Sequence, residues 1–233
     1  MNLIYLMNKN LMTRSFLDSD FLHYLANTCN LEGGEQLPSL QEISQKLGIS
    51  ISALREQLEV ARALGMVEVR PHTGIRRQPY SFSPAVKMSL AYALQLSPQS
   101  FTAFADLRNN LEDAYYTAAV GKLTEQDHVE LQQLMKRAWG KLRGEPIQIP
   151  HEEHRQLHLL IYRRLDNPFV TGLLEAFWDA YERVGLSVYA DYAYLQEVWD
   201  YHQQIVDAIC AGDHAAGYLA LKNHKDLLSH RPK

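Results

Sequence analysis

The sequence predicts a mainly α protein in two parts, an N-terminal unit with a small β element and a C-terminal unit built only of helices. Residues 37–74 have the pattern of helix, tight turn, helix and short β-hairpin. The polar segment RRQPYSFSP follows, and beyond it amphipathic stretches recur without strand alternation. With 233 residues, 46% of them hydrophobic, the chain can form packed cores in both parts.

Cap and turn residues define the helices of the first part. Ser39 and Glu42 have the spacing of a capping box, which predicts a helix beginning there. Gly48 permits a sharp turn, and Ser50 can cap a second helix. Residues 66–70 then alternate between apolar and polar, as a short strand does, and residues 72–74 form a turn. The result is a winged helix-turn-helix.

A helix-turn-helix places the first turns of its second helix in the major groove of DNA. Arg55 is the best candidate for a guanine edge, because its guanidinium can donate two hydrogen bonds at once. The wing is expected to enter the adjacent minor groove. The predicted DNA-binding residues are Ser39, Ser50, Ile51, Ser52, Arg55, Arg70, His72, Thr73 and Gly74. The alternative from the pattern alone is a helical protein–protein module with exposed arginines.

These residues carry a family resemblance. The segments LPSLQEISQKLGIS, SISALREQL and ALGMVEVRPHTGI resemble the winged-helix domain of GntR-family bacterial transcription regulators, over roughly residues 15–80. Ile51 stands where that family often has an arginine. The resemblance implies a mainly α protein that binds a double-stranded DNA operator. We place a flexible arm at 1–14, the DNA-binding domain at 15–78, a linker at 79–85 and an all-helical domain at 86–230.

Composition narrows the class of protein. Cys29 and Cys210 are too few and too isolated for a disulfide framework, and no stretch has the length of a transmembrane helix or the form of a signal peptide. We therefore expect a cytoplasmic protein with no membrane partner. The net charge is −4, whereas residues 37–80 contain six cationic and four acidic side chains. A homodimer that presents two such basic faces to DNA fits this balance better than a monomer.

The C-terminal part has amphipathic stretches with end signals between them, and histidines fall on faces that should be buried. The predicted helices cover residues 84–96, 97–121, 124–143, 150–165, 168–185, 192–211 and 213–229. The histidines on apolar stripes are His154, His158, His202 and His224. Histidines of this kind are either hydrogen-bonded core residues or ligands of a shared divalent metal ion, and the pattern alone leaves both readings open.

This part resembles the FCD domain of the FadR-like branch of GntR regulators, through LRNNLE, HRQLH with DNP, and HQQIVDAICAGDHAAGYLALKNH. The resemblance implies a metal site formed by His154, His158, His202 and His224, with His154 where the family usually has aspartate. An all-imidazole set favours zinc or nickel, or copper, over a hard cation. It is also compatible with weaker binding, or with a site that an effector's carboxylate completes. His151 is a spare candidate that we expect to be a solvated residue at a helix start.

Arg108 is the second unusual residue on a buried face. The resemblance places it near an effector pocket, where a guanidinium beside a metal can bind a small carboxylate metabolite. The equally weighted alternative is an internal ion pair with Glu112, one turn further on.

The function predicted is that of a metabolite-responsive transcription regulator, acting as a repressor or an activator, and not an enzyme. The segment HEEHRQLH lacks the spacing of a zinc protease, because His151 and His154 are three apart and Arg155 follows. The competing classes are a metal-dependent hydrolase built on the histidines, and a helical adaptor without DNA binding.

Overall fold

The structure is a computed structural model that describes residues 19–28, 34–71, 74–184 and 192–229. The chain divides into two compact units, Met1–Ala85 and Val86–Lys233, and each is described by itself. Within the described ranges, no helix combines the length and the apolar character that crossing a membrane requires.

The first unit contains helices and one β-hairpin, as the sequence predicts. Its elements are α1 (Asp20–Thr28), α2 (Leu40–Leu47), α3 (Ile51–Ala63), β1 (Val67–Arg70) and β2 (Gly74–Arg77). The strands pair antiparallel, from Val67 opposite Arg77 to Arg70 opposite Gly74. The segment before α2 runs along the other edge of β2, where Leu37 N donates to Ile75 O at 2.9 Å. The hairpin is therefore supported on both sides of β2.

The cap and turn predictions are confirmed. Glu42 N donates to Ser39 Oγ at 3.3 Å, and Ser39 N donates to Glu42 Oε2 at 2.8 Å, which together make the capping box. Gly48 ends α2 in the left-handed region, with φ +68°. Ala53 N donates to Ser50 Oγ at 3.1 Å and so caps α3. These contacts define the turn between α2 and α3, the two helices of the predicted helix-turn-helix.

The core of the first unit lies between the three helices and the hairpin. Its most buried residues are Phe21, Ile43, Leu54, Ala61 and Val67. Gln57 of α3 also holds the start of α1, because its Oε1 accepts from Ser19 Oγ at 2.9 Å and from Phe21 N at 2.7 Å. The predicted arm at 1–14 and the first residues of the predicted DNA-binding domain, 15–18, lie outside the described residues.

The second unit is helical throughout its described part, which confirms the predicted fold class. Its helices are α4 (Ser83–Leu96), α5 (Ser100–Val120), α6 (Glu125–Leu142), α7 (His151–Tyr162), α8 (Pro168–Val184), α9 (Tyr192–Cys210) and α10 (His214–Ser229). The first of these begins inside the segment that we assigned to the linker. Pro84 is accepted there because the first turn of a helix does not use its backbone N–H.

Asp127 joins a helix cap to a salt bridge. It forms a capping box with Thr124 at the start of α6, and it also accepts hydrogen bonds from Arg163 and Arg164 at the end of α7. Burial raises the pKa of this carboxyl, but the hydrogen bonds from Arg164 and Thr124 outweigh burial and hold the pKa well below its usual range. The carboxylate therefore ties α6 to α7 in its ionised form.

The main core of the second unit joins all the helices from α5 to α10. The chain's three tryptophans, Trp139, Trp178 and Trp199, all lie in this unit. Gly217 of α10 lies so close to α5 that a Cβ atom there would be 2.2 Å from the Tyr116 hydroxyl. The two helices therefore approach each other closely at this point.

Candidate functional site

The four predicted histidines come together in the second unit. His154 and His158 are one turn apart on α7, while α9 supplies His202 and α10 supplies His224. One nitrogen from each ring lies within 4.8 Å of the chosen nitrogen of every other. The closest measured pair is His158 Nε2 and His202 Nε2, at 3.3 Å. Three separate helices thus bring their imidazoles to one place.

Burial sets the protonation of these rings. His158, His202 and His224 are almost fully buried, and His154 is half-buried with its Nε2 enclosed. Burial, followed by the positive charges of neighbouring groups, lowers the pKa of all four histidines well below the ordinary value. Neutral imidazole is the form that binds a metal ion, so the folded protein holds the cluster in that form near neutral pH.

Unpaired nitrogens distinguish this cluster from a hydrogen-bonded core. Among the described residues, His154 Nε2, His202 Nδ1 and both ring nitrogens of His224 have no hydrogen-bond partner. A buried polar atom without a partner costs free energy, and a shared cation would satisfy several at once. Tetrahedral zinc with bonds of about 2.0–2.1 Å separates its nitrogens by about 3.3 Å. The donor set therefore fits a zinc-sized ion after a modest contraction.

Arg108 and Glu112 of α5 border the cluster. Arg108 Nε lies 3.0 Å from Glu112 Oε1, and both side chains are buried, so the ion pair that we weighed as the alternative is present. The same arginine also reaches the histidines, because its Nη2 lies 3.0 Å from His158 Nδ1. Burial raises the pKa of the Glu112 carboxyl, and the charges of Arg108 and Lys225 oppose that effect. An effector-binding role for Arg108 stays a prediction.

Two neighbours of the cluster were not predicted as site residues. Glu112 Oε1 lies 3.0 Å from His158 Nδ1, and the spacing of Glu112 from Arg108 in LRNNLE was the available signal. Trp178 of α8 stacks on His158 with ring centroids 4.7 Å apart, and it also contacts His154. Sequence gave no signal for Trp178, because any apolar residue of α8 fits the same pattern.

His151 lies outside the cluster of four. It is the first residue of α7 and is half-buried, so the expectation of a solvated helix-start residue holds only in part. Burial lowers the pKa of its ring.

The predicted DNA-reading side chains share the start of α3. Ser50, Ile51, Ser52 and Arg55 are exposed there. Within the described part of the chain, Arg55 forms no ion pair, which leaves its guanidinium available for a base or a phosphate.

The structure places the remaining predicted DNA-binding residues in different local environments. The Ser39 hydroxyl is engaged with Glu42 Oε2 at 2.7 Å, so its contribution to a phosphate site rests on backbone N–H groups. Arg70 is exposed and pairs with Glu68 at 2.7 Å. Gly74 begins β2 with φ +77°. The predicted wing residues His72 and Thr73 lie outside the described residues.

The fold and these two sites define the class: a transcription regulator with an N-terminal winged helix-turn-helix and a C-terminal helical domain. The sequence pattern of the FCD domain matches residues 103–227, more than half of the chain. The chain belongs to the FCD domain family of GntR transcription regulators.

Relatives along almost the whole chain agree with this assignment. The HTH-type transcriptional regulator LutR of Bacillus subtilis is 23% identical over 211 residues, which cover 85% of this chain and 94% of LutR. The HTH-type transcriptional regulator YieP of Escherichia coli is 28% identical over 207 residues, 81% of this chain and 82% of YieP. A GntR protein of Streptococcus agalactiae has the same fold, with a TM-score of 0.66 and 19% identity over 89% of this chain and 94% of that chain.

Proposed function

We propose that this regulator binds a palindromic DNA operator as a homodimer, and that a small carboxylate metabolite held at a metal ion in the helical unit controls its affinity for DNA. One observation carries the proposal. Four imidazoles from three helices converge within 4.8 Å in a chain whose other unit is a winged helix-turn-helix. The proposal has three components: DNA binding by the winged unit, effector binding by the helical unit, and the coupling between the two.

DNA binding by the winged unit rests on α3. Its first turns present Ile51, Ser52 and Arg55 to solvent, which is the placement that a recognition helix needs in the major groove. Exposed Ile51 can contact a thymine methyl group, whereas an arginine there would select guanine. Arg70 reaches the minor groove or a phosphate once its surface pair with Glu68 opens, at a small energetic cost. Two such modules related by a two-fold axis match a palindrome.

Effector binding by the helical unit rests on the histidine cluster. His154, His158, His202 and His224 would hold the divalent cation, which is zinc or nickel by the preference of imidazole. When bound, the cation supplies a Lewis-acidic point that attracts a carboxylate. The neutral histidines add no negative charge to the cation, so an anionic effector is favoured over a neutral one. Arg108 adds a second positive group at the edge of the cluster, 3.0 Å from His158.

The coupling follows from thermodynamic linkage. The effector controls DNA binding only if its affinity differs between the DNA-competent form and the other form of the dimer. A change of about tenfold in DNA affinity needs a difference of about 1.4 kcal/mol in effector binding between the two forms.

The test uses the full chain. Its operator is first selected from random duplexes, and DNA affinity is then measured by fluorescence anisotropy with and without zinc and a panel of small carboxylates. We expect at least one carboxylate to shift DNA affinity in the zinc-loaded protein, and the shift to vanish in His202→Ala. His128→Ala, a half-buried histidine on α6 outside the cluster, is the matched control and should behave like the wild type. Equal DNA affinity under every condition would reject effector control.

A further inference from the structure

His158 has two competing neighbours at one ring nitrogen. Glu112 Oε1 and Arg108 Nη2 each lie 3.0 Å from His158 Nδ1. A neutral imidazole carries a single proton, so only one of these contacts can be a hydrogen bond at a time. If Nδ1 carries the proton, it donates to the carboxylate. If the proton is on Nε2, Nδ1 accepts from the guanidinium.

The position of this proton decides whether His158 can be a ligand. His158 Nε2 is the nitrogen that faces the cluster, because it lies 3.3 Å from His202 Nε2. Arg108 Nη2 is nearer to Nδ1, at 3.0 Å, than to this nitrogen, at 3.4 Å. A proton on Nε2 would occupy the lone pair that a cation needs. A proton on Nδ1 frees that lone pair and gives the carboxylate a donor. A carboxylate beside the far nitrogen of a ligating histidine is a recurrent way to fix ring orientation and raise basicity.

We propose that Glu112 is a positioning residue, which holds His158 with its proton on Nδ1, presents Nε2 to the cation, and provides the negative charge that the four imidazoles lack. This inference rests on the metal site of the proposed function. The ring and the carboxylate are on different helices, so the contact also ties α5 to α7.

The surroundings of Glu112 support this role. Its side chain is fully buried, and its Oε1 also pairs with Arg108 Nε at 3.0 Å. Burial raises the pKa of this carboxyl, and the charge of the arginine opposes that effect. Within the described ranges, no other carboxylate forms an ion pair or hydrogen bond with the cluster. The neighbouring Asp113 is occupied elsewhere, since it pairs with Lys225 Nζ at 2.6 Å. The Tyr162 hydroxyl donates to the Glu112 carbonyl at 2.9 Å and fixes the backbone.

The first measurement needs no variant. Long-range ¹⁵N–¹H NMR of the metal-free wild-type protein reports which ring nitrogen of each histidine carries the proton. We expect His158 to be protonated on Nδ1. Protonation on Nε2 would overturn the inference, whether or not the protein takes up a metal.

The second measurement compares variants by zinc titration against a chromophoric chelator. Glu112→Gln keeps the size of the side chain and removes its charge, and we expect zinc affinity to fall by about 10- to 100-fold. Asp113→Asn removes an equal charge one residue away without touching His158, and it should bind zinc like the wild type. Equal affinity in Glu112→Gln and the wild type would overturn the inference.

The two proposals fail in different ways. A wild type that binds zinc, with an unaffected Glu112→Gln, leaves the metal site intact and removes only the role of Glu112. A wild type that binds no divalent cation refutes the metal site, and the NMR result then decides the Glu112 contact by itself. If Glu112→Gln does not fold, Glu112→Asp replaces it: the charge is kept but the carboxylate is withdrawn by one methylene, and zinc affinity should still fall.

Discussion

Acidification should destabilise the helical unit of the metal-free protein well above the pH at which carboxylates titrate. The four clustered histidines have pKa values far below the ordinary histidine value, because burial disfavours their charged form. In the unfolded chain their pKa is about 6.5. The unfolded state therefore binds more protons than the native state below that pH. Stability is fully present above about pH 6.5 and is lost as the pH falls.

The size of the effect follows from linkage. At pH 5.5, a histidine that stays neutral in the native state costs about 1.4 kcal/mol, compared with about 0.2 kcal/mol at pH 7. Four such residues lower the free energy of unfolding by about 5 kcal/mol between these two pH values. A domain is typically stable by about 5–15 kcal/mol, so this loss is a large share of the total.

Tryptophan fluorescence provides an assay that is specific for the helical unit. Trp139, Trp178 and Trp199 all lie there, so urea unfolding followed by this signal does not report on the winged unit. The metal-free protein, prepared with a chelator, is unfolded at several pH values between 7.5 and 5.5. His202→Gln removes one of the four titrating rings, so its pH-dependent loss should be about three quarters of the wild-type loss.

A wild-type stability that stays constant between pH 7 and pH 5.5 would refute the reasoning. So would an equal pH dependence in His202→Gln, since the buried rings would then not be the groups that take up protons.

Three further predictions concern other parts of the chain. Arg55→Ala should weaken operator binding by about tenfold or more, whereas Arg62→Ala, whose guanidinium pairs with Glu59, should have little effect in the same anisotropy assay. Ser39→Ala removes the capping box of α2 and should lower the stability of the winged unit by about 1 kcal/mol, measured by circular dichroism on thermal unfolding. Asp127→Asn weakens the tie from α6 to α7 and should lower the stability of the helical unit by about 2 kcal/mol, visible as an earlier fluorescence transition in urea.

Local signals predicted most of the fold. The cap pairs at Ser39 and Thr124 and the glycine at position 48 act over a few residues, and the structure has the helix ends where they indicate. Helix α4 begins at Ser83, one residue before the predicted helix 84–96, but inside the linker placed at 79–85, because a proline in a first turn and a proline in a linker look alike in sequence. Boundaries of this kind depend on tertiary packing, which a local pattern does not contain.

The histidines of the candidate site were predictable from the sequence, but the contacts between them and their neighbours were not. Histidines on apolar stripes are visible in sequence, and the structure brings those four together. The sequence could not show that Arg108 pairs with Glu112 and reaches His158 as well, since that depends on the distance between α5 and α7. Trp178 was missed for the same reason. A stacking contact between residues of two helices does not change the hydrophobic periodicity of either helix, so the sequence pattern does not reveal it.

The close approach of Gly217 to Tyr116 has a consequence for α10. His224 lies seven residues after Gly217, which is two helical turns, or about 10 Å, along the same face. The Tyr116 hydroxyl occupies the place that the Cβ atom of any other residue at position 217 would need. The helix α10 can therefore lie against α5 in only the register that puts Gly217 there. A slip by a single residue would turn the imidazole of His224 by about 100° around the axis and away from its three companions. The glycine of α10 that lies against α5 thus sets the position of His224 in the cluster.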